Sequence, residues 1–87
     1  MRQTIKAYLD AYVETQRSRR RQARHDAEWR RWAERAALAE RLGRPDLAQA
    51  TRQKVLLHGE SAVLWGRTAT AQAALTEELR RLAQEQR

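Results

Sequence analysis

The chain has 87 residues, a formal net charge of +7 and no cysteine, so it holds one domain at most and neither disulfides nor thiolate sites. Its longest apolar runs, such as Ala36-Ala37-Leu38-Ala39 and Ala62-Val63-Leu64-Trp65, are four residues, against the ~20 that a membrane-spanning helix needs. The N-terminus lacks the apolar core of a secretory signal, and a soluble, cytoplasmic protein is expected. The positive charge suits either contact with an anionic surface or a solvated, arginine-rich helix.

The first predicted element is a helix over about residues 4–42. Ile5, Leu9, Tyr12, Gln16, Arg20, Ala23 and Ala27 follow one another at steps of three and four. Their order of steps belongs to an eleven-residue repeat, which implies a nearly straight or slightly right-handed pairing. Leu38 and Leu42 extend the line. Within this helix lies Arg17-Ser18-Arg19-Arg20-Arg21-Gln22-Ala23-Arg24, with five arginines and no acid. Arg17, Arg20, Arg21 and Arg24 share one face and are a candidate anion-binding stripe for phosphate or acidic lipid. No interleaved aromatics and no Gly-rich loop accompany it, so a solvated or acid-paired face is the simpler reading.

A turn follows at residues 43–45, in Leu42-Gly43-Arg44-Pro45-Asp46-Leu47. Gly43 suits the left-handed position just past a helix C-terminus, and Pro45 suits the first turn of the next helix. Asp46 places an acid where the helix dipole favours one.

The second helix is predicted over about residues 46–84. Its main seam is read as Leu47, Ala50, Lys54, Leu57, Ser61, Leu64, Thr68, Ala71, Leu75, Leu79 and Leu82. Gly59 offers an alternative, a break that would make three helices. One glycine costs a helix only about 1 kcal/mol, so a continuous helix is expected. Charge pairs at helical spacing, Asp26 with Arg30, Glu40 with Arg44 and Glu77 with Arg81, support both helices. No sustained apolar/polar alternation signals a strand.

The fold class that results is all-α, a long antiparallel two-helix hairpin over residues 1–87. Folding at Arg44 sets Trp29 near Gly59 and Ala23 near Gly66. It sets Ile5, Leu9 and Tyr12 against Leu75, Leu79 and Leu82. Trp29, Trp32 and Ala36 lie off the seam of the first helix. Ala48, Val55, Ala62 and Ala69 recur every seven residues off the seam of the second. A two-helix hairpin buries one stripe per helix, so these residues are expected to meet a second copy in a homodimer or higher oligomer with a four-helix arrangement.

Catalytic chemistry finds no foothold. His25 with Glu28 is a single i, i+3 pair, where a di-metal site needs more carboxylates. Ser18 and Ser61 have no triad context. Glu77 and Glu78 are adjacent and point apart. No catalytic residue, metal or cofactor is expected, and the chain reads as a non-enzyme.

Residues 29–82 resemble the hairpin tip of the phage-shock-protein A and thylakoid vesicle-inducing protein family. The resemblance rests on Trp29, Trp32-Ala33-Glu34-Arg35-Ala36 and Ala39, then Gly43-Arg44-Pro45-Asp46-Leu47-Ala48, Ala50 and Lys54. Leu64-Trp65-Gly66 is similar to small cyanobacterial relatives, some associated with ergothioneine (hercynine) metabolism. The resemblance implies an oligomerising, non-enzymatic coiled-coil hairpin. Residues 1–28 do not match the family's membrane-binding amphipathic helix. The functional expectation is a self-associating scaffold or interaction protein, with a protein partner open. The alternative is a basic module that binds nucleic acid or an anionic membrane surface through its arginines.

Overall fold

The computed structural model describes residues 2–86. They form two helices, α1 (Arg2–Arg41) and α2 (Pro45–Glu85), packed antiparallel in a rod of 66 × 13 × 13 Å. The rod's length follows from about 40 residues rising ~1.5 Å each. No strand occurs among the described residues, and none of their helices is long and apolar enough to cross a membrane.

The reversal lies where glycine and proline place it. Gly43 has φ +68°, the left-handed region that glycine enters without a Cβ clash. Its N–H donates to the Glu40 carbonyl at 3.1 Å, and the Arg44 N–H donates to the Ala39 carbonyl at 2.9 Å. These two bonds make a Schellman cap, which satisfies carbonyls the helix end would otherwise leave free. Pro45 opens α2, and the Arg44 side chain before it makes no capping hydrogen bond. Asp46 sits in that first turn and accepts from Arg44 Nε at 3.3 Å and Nη2 at 3.2 Å. α2 continues through Gly59 and Gly66 without a break, so two helices form rather than three.

The seam between the helices differs from the one the leucines suggest. Ala36, Ala39, Ala48, Ala62 and Ala69 are buried, together with Thr15 and Ser18. On α2 the buried and half-buried positions run Ala48, Thr51, Val55, His58, Ala62, Trp65, Ala69, Gln72 and Thr76, alternating three and four. On α1 Thr15, Ser18, Gln22 and His25 do the same, and Trp32, Ala36 and Ala39 stay in phase. This is a heptad spacing, the pattern of left-handed pairing, and not an eleven-residue one.

Two expectations are corrected by this seam. Trp32, Ala36, Ala48, Val55, Ala62 and Ala69 do not form a free surface for a second copy; they lie buried or half-buried between the helices of one chain. Trp29 sits at the seam's edge, 41% exposed. Conversely, Ile5, Leu9, Tyr12, Leu47, Leu57, Leu64, Leu75 and Leu82 are exposed, and of the residues expected to pair at the rod's open end only Leu79 is half-buried. The physical reason is polarity and size. The leucine line would also have buried Arg20 and Lys54, whose charges are costly to desolvate. The alanine line lets the backbones approach closely, and its polar members can each find a hydrogen bond. The predicted register holds at Trp29, whose Cδ1 lies 3.2 Å from where a Cβ on Gly59 would stand. At Gly66 the neighbour is Gln22 rather than Ala23.

Candidate functional site

Three features stand out on this rod: an arginine stripe, rows of exposed leucine, and polar side chains facing each other across the seam. Arg17, Arg20, Arg21 and Arg24 are all exposed on α1. Arg17 pairs with Glu14 at 2.8 Å, one turn back on its own helix. Arg21 lies over the Trp65 ring, 4.6 Å from its centroid, where the ring's negative face attracts the cation. Arg20 and Arg24 have no carboxylate partner among the described residues. Glu60 and Glu77 do not cover the stripe; Glu77 binds Arg80 instead. The Arg80 guanidinium holds the Glu77 carboxyl below its usual range.

The tryptophans gather cations. Trp32 has Arg35 4.7 Å and Lys54 5.9 Å from its ring centroid. Lys54 reaches it from the opposite helix, and Arg21 reaches Trp65 in the other direction. Arg21, Lys54 and the leucines near Lys54 in the heptad therefore lie on one side of the rod. The cross-helix pair Glu40–Arg52 marks the other side.

The leucine rows run along α2. Leu57 and Leu64 are 54% and 61% exposed, and by their heptad positions they stand on the Lys54 side. Leu56 and Val63 form the next row. There an open hollow of about 590 Å³ is lined by Trp29, Val55, Leu56, Gly59, Val63 and Leu64, with Glu60 and Arg67 completing it.

Across the seam, Ser18 Oγ donates to Gln72 Oε1 at 2.6 Å. Thr15 and Thr76 approach to 3.2 Å. Each, however, already donates its one hydroxyl proton to a carbonyl of its own helix, Ala11 at 2.8 Å and Gln72 at 2.7 Å. His25 and His58 meet with their Nδ1 atoms 3.0 Å apart. Read singly, the two imidazoles look like surface residues; only the hairpin register joins them. The expected ion pairs Asp26–Arg30, Glu40–Arg44 and Glu77–Arg81 give way to Arg31–Glu28, Arg52–Glu40 and Arg81–Glu78. All are exposed and contribute little each.

No group of three or more metal-ligating side chains occurs among the described residues. No protein-family model, curated protein or solved structure matches this chain.

Proposed function

We propose that this chain is a non-enzymatic helical-hairpin module that self-associates, its leucine rows covered by a second copy. One observation carries the reading. The seam within a chain is built mostly of small and polar side chains around Trp32, Val55 and Trp65, while Leu47, Leu56, Leu57, Leu64, Leu75 and Leu82 of α2 stay exposed. Burying a leucine contributes about 1.5–3 kcal/mol. Association itself costs an estimated 4–15 kcal/mol, so a few leucines on one copy would not suffice. A two-fold contact buries each row twice, once per copy, and the rod's length sets many such side chains along one line. The resemblance of the turn and its flanking helices to the phage-shock-protein A hairpin supports the same reading.

The test is sedimentation equilibrium of the intact chain beside a Leu57→Gln, Leu64→Gln double variant. The wild type is expected as a dimer or larger at micromolar concentration, and the variant as a helical monomer. A wild-type monomer at high micromolar concentration would refute the proposal.

A second reading is favoured by Arg20 and Arg24, exposed and without an acidic partner among the described residues. A cationic row beside a leucine row suits an anionic surface, whether lipid or nucleic acid.

A further inference from the structure

Val63 stands at the centre of an outer face of α2. It is 54% exposed and borders three adjoining hollows along the rod. The charged side chains that line these hollows divide by sign along its length. Arg19 and Arg67 lie together at one hollow, with Gln22 and Gly66. Asp26 lines another, with Trp29 and Gly59, and Glu60 lines the third against the same Trp29 and Gly59. On α2, Glu60 comes one turn before Val63 and Arg67 one turn after it, so all three share a face. The four charged residues are exposed, and none has an ion-pair partner among the described residues.

These two arginines and two acids cancel, on a chain whose net charge is +7. Two copies can therefore meet at this face without the repulsion that the rest of the surface imposes. The order of the charges also makes the face complementary to itself. A two-fold axis at Val63 runs α2 of one copy against α2 of the other in opposite directions, and every contact is then made twice. Glu60 meets Arg67 of the second copy, and Arg67 meets its Glu60. Val63 and Leu64 exchange across the axis in the same way. Pairing in the same direction sets Glu60 on Glu60 and Arg67 on Arg67, and opposed like charges select against it.

We propose that two copies pair antiparallel through this face, about an axis at Val63; the contact rests on the self-association proposed above and fixes its geometry. Leu56, Val63 and Leu64, 66%, 54% and 61% exposed, supply the apolar area. Exposed ion pairs add little to affinity, so Glu60 and Arg67 act mainly on direction and register. On α1, Arg19 and Asp26 repeat the same polarity beside them.

The experiment uses the absence of cysteine from the chain. Val63→Cys and Leu56→Cys are introduced singly into the intact chain and oxidised mildly. At the axis the two copies of residue 63 come within disulfide reach, with Cα atoms under about 7 Å apart. The two copies of residue 56 lie about 20 Å apart along the helices, at ~1.5 Å per residue. Val63→Cys should therefore cross-link to a dimer and Leu56→Cys should not. By sedimentation equilibrium, Arg67→Glu should weaken the dimer about tenfold or more, and adding Glu60→Arg should restore it. All these residues are exposed, so the seam of the hairpin is left intact. Equal cross-linking at both positions means parallel pairing and overturns the proposal. A wild-type dimer without cross-linking at Val63→Cys, or with Arg67→Glu unchanged in affinity, also overturns it and leaves self-association standing through another face. A wild-type monomer at high micromolar concentration overturns both and leaves this face to a different partner.

Discussion

Gly43 is where a single residue decides the most. A Cβ there would meet nothing within 4 Å, so any cost of substitution comes from the backbone. At φ +68° an L-residue loses about 1–2 kcal/mol, and a β-branched one more. Gly43→Val should therefore lower stability by about 2 kcal/mol, and Gly43→Asn by much less, read as midpoints in urea. Asp46 should give the turn a pH dependence. The Arg44 guanidinium, then the Leu47 N–H, hold its carboxyl below the ordinary range. A depressed folded value means that the stabilisation is complete above the unfolded value and is lost as pH falls through the folded one. Melting of the wild type and of Asp46→Asn should differ above about pH 5 and converge in acid; a gap that persists at acid pH would contradict this. The turn was legible because glycine and proline have few other uses at such positions. Its flanking ion pair was not, since an exposed arginine chooses among several acids at nearly equal energy.

Between the two helices, the polar contacts differ in kind although they look alike. Ser18 is 1% exposed and spends its proton across the seam on Gln72. Removing Gln72 leaves that hydroxyl only its own helix to turn to. Gln72→Ala should cost about 1–3 kcal/mol, and Ser18→Ala added to it should cost little more. Thr15 and Thr76 meet across the seam but give their protons to their own helices, so their hydroxyls add no bond between helices. Thr15→Val with Thr76→Val should be neutral or stabilising, since each adds a methyl where the helices touch. A double-mutant cycle by chemical denaturation checks both pairs, and strong coupling between the threonines would refute the distinction. This seam was half legible. The period-seven series Ala48, Val55, Ala62 and Ala69 was visible, but leucines drew the main line elsewhere. Hydrophobicity marks what must be covered, whereas closeness of helices is set by small side chains, and in a lone hairpin the two criteria select different faces. The histidine pair was hidden for a related reason. Each residue is unremarkable along the chain, and only the correct seam phase turns both inward.

On the scale of the whole rod, the arginine stripe and the leucine rows compete for the meaning of one side. If a second copy covers the leucines, the neighbouring arginines become part of its rim, where rim charges tune encounter more than affinity. If the side faces an anionic surface instead, the arginines supply the attraction. Arg20 and Arg21 separate the cases because their settings differ. Arg21 stacks on Trp65 and so contributes to the hairpin, by about 0.5–1 kcal/mol for an exposed cation on a ring. Arg20 touches no acid among the described residues and is free to meet a phosphate. Arg20→Gln alone should leave melting and oligomer size unchanged, and Arg21→Gln alone should lower melting slightly. The double variant should bind polyanions no differently from the wild type if the stripe is only solvated. Measured with duplex DNA, single-stranded RNA and anionic vesicles at two salt concentrations, binding by the wild type that weakens steeply with salt and falls in the double variant, at unchanged oligomer size, would assign the stripe to an anionic partner. Absence of binding to all three would leave the leucine rows, and a second copy, as the occupants of that side.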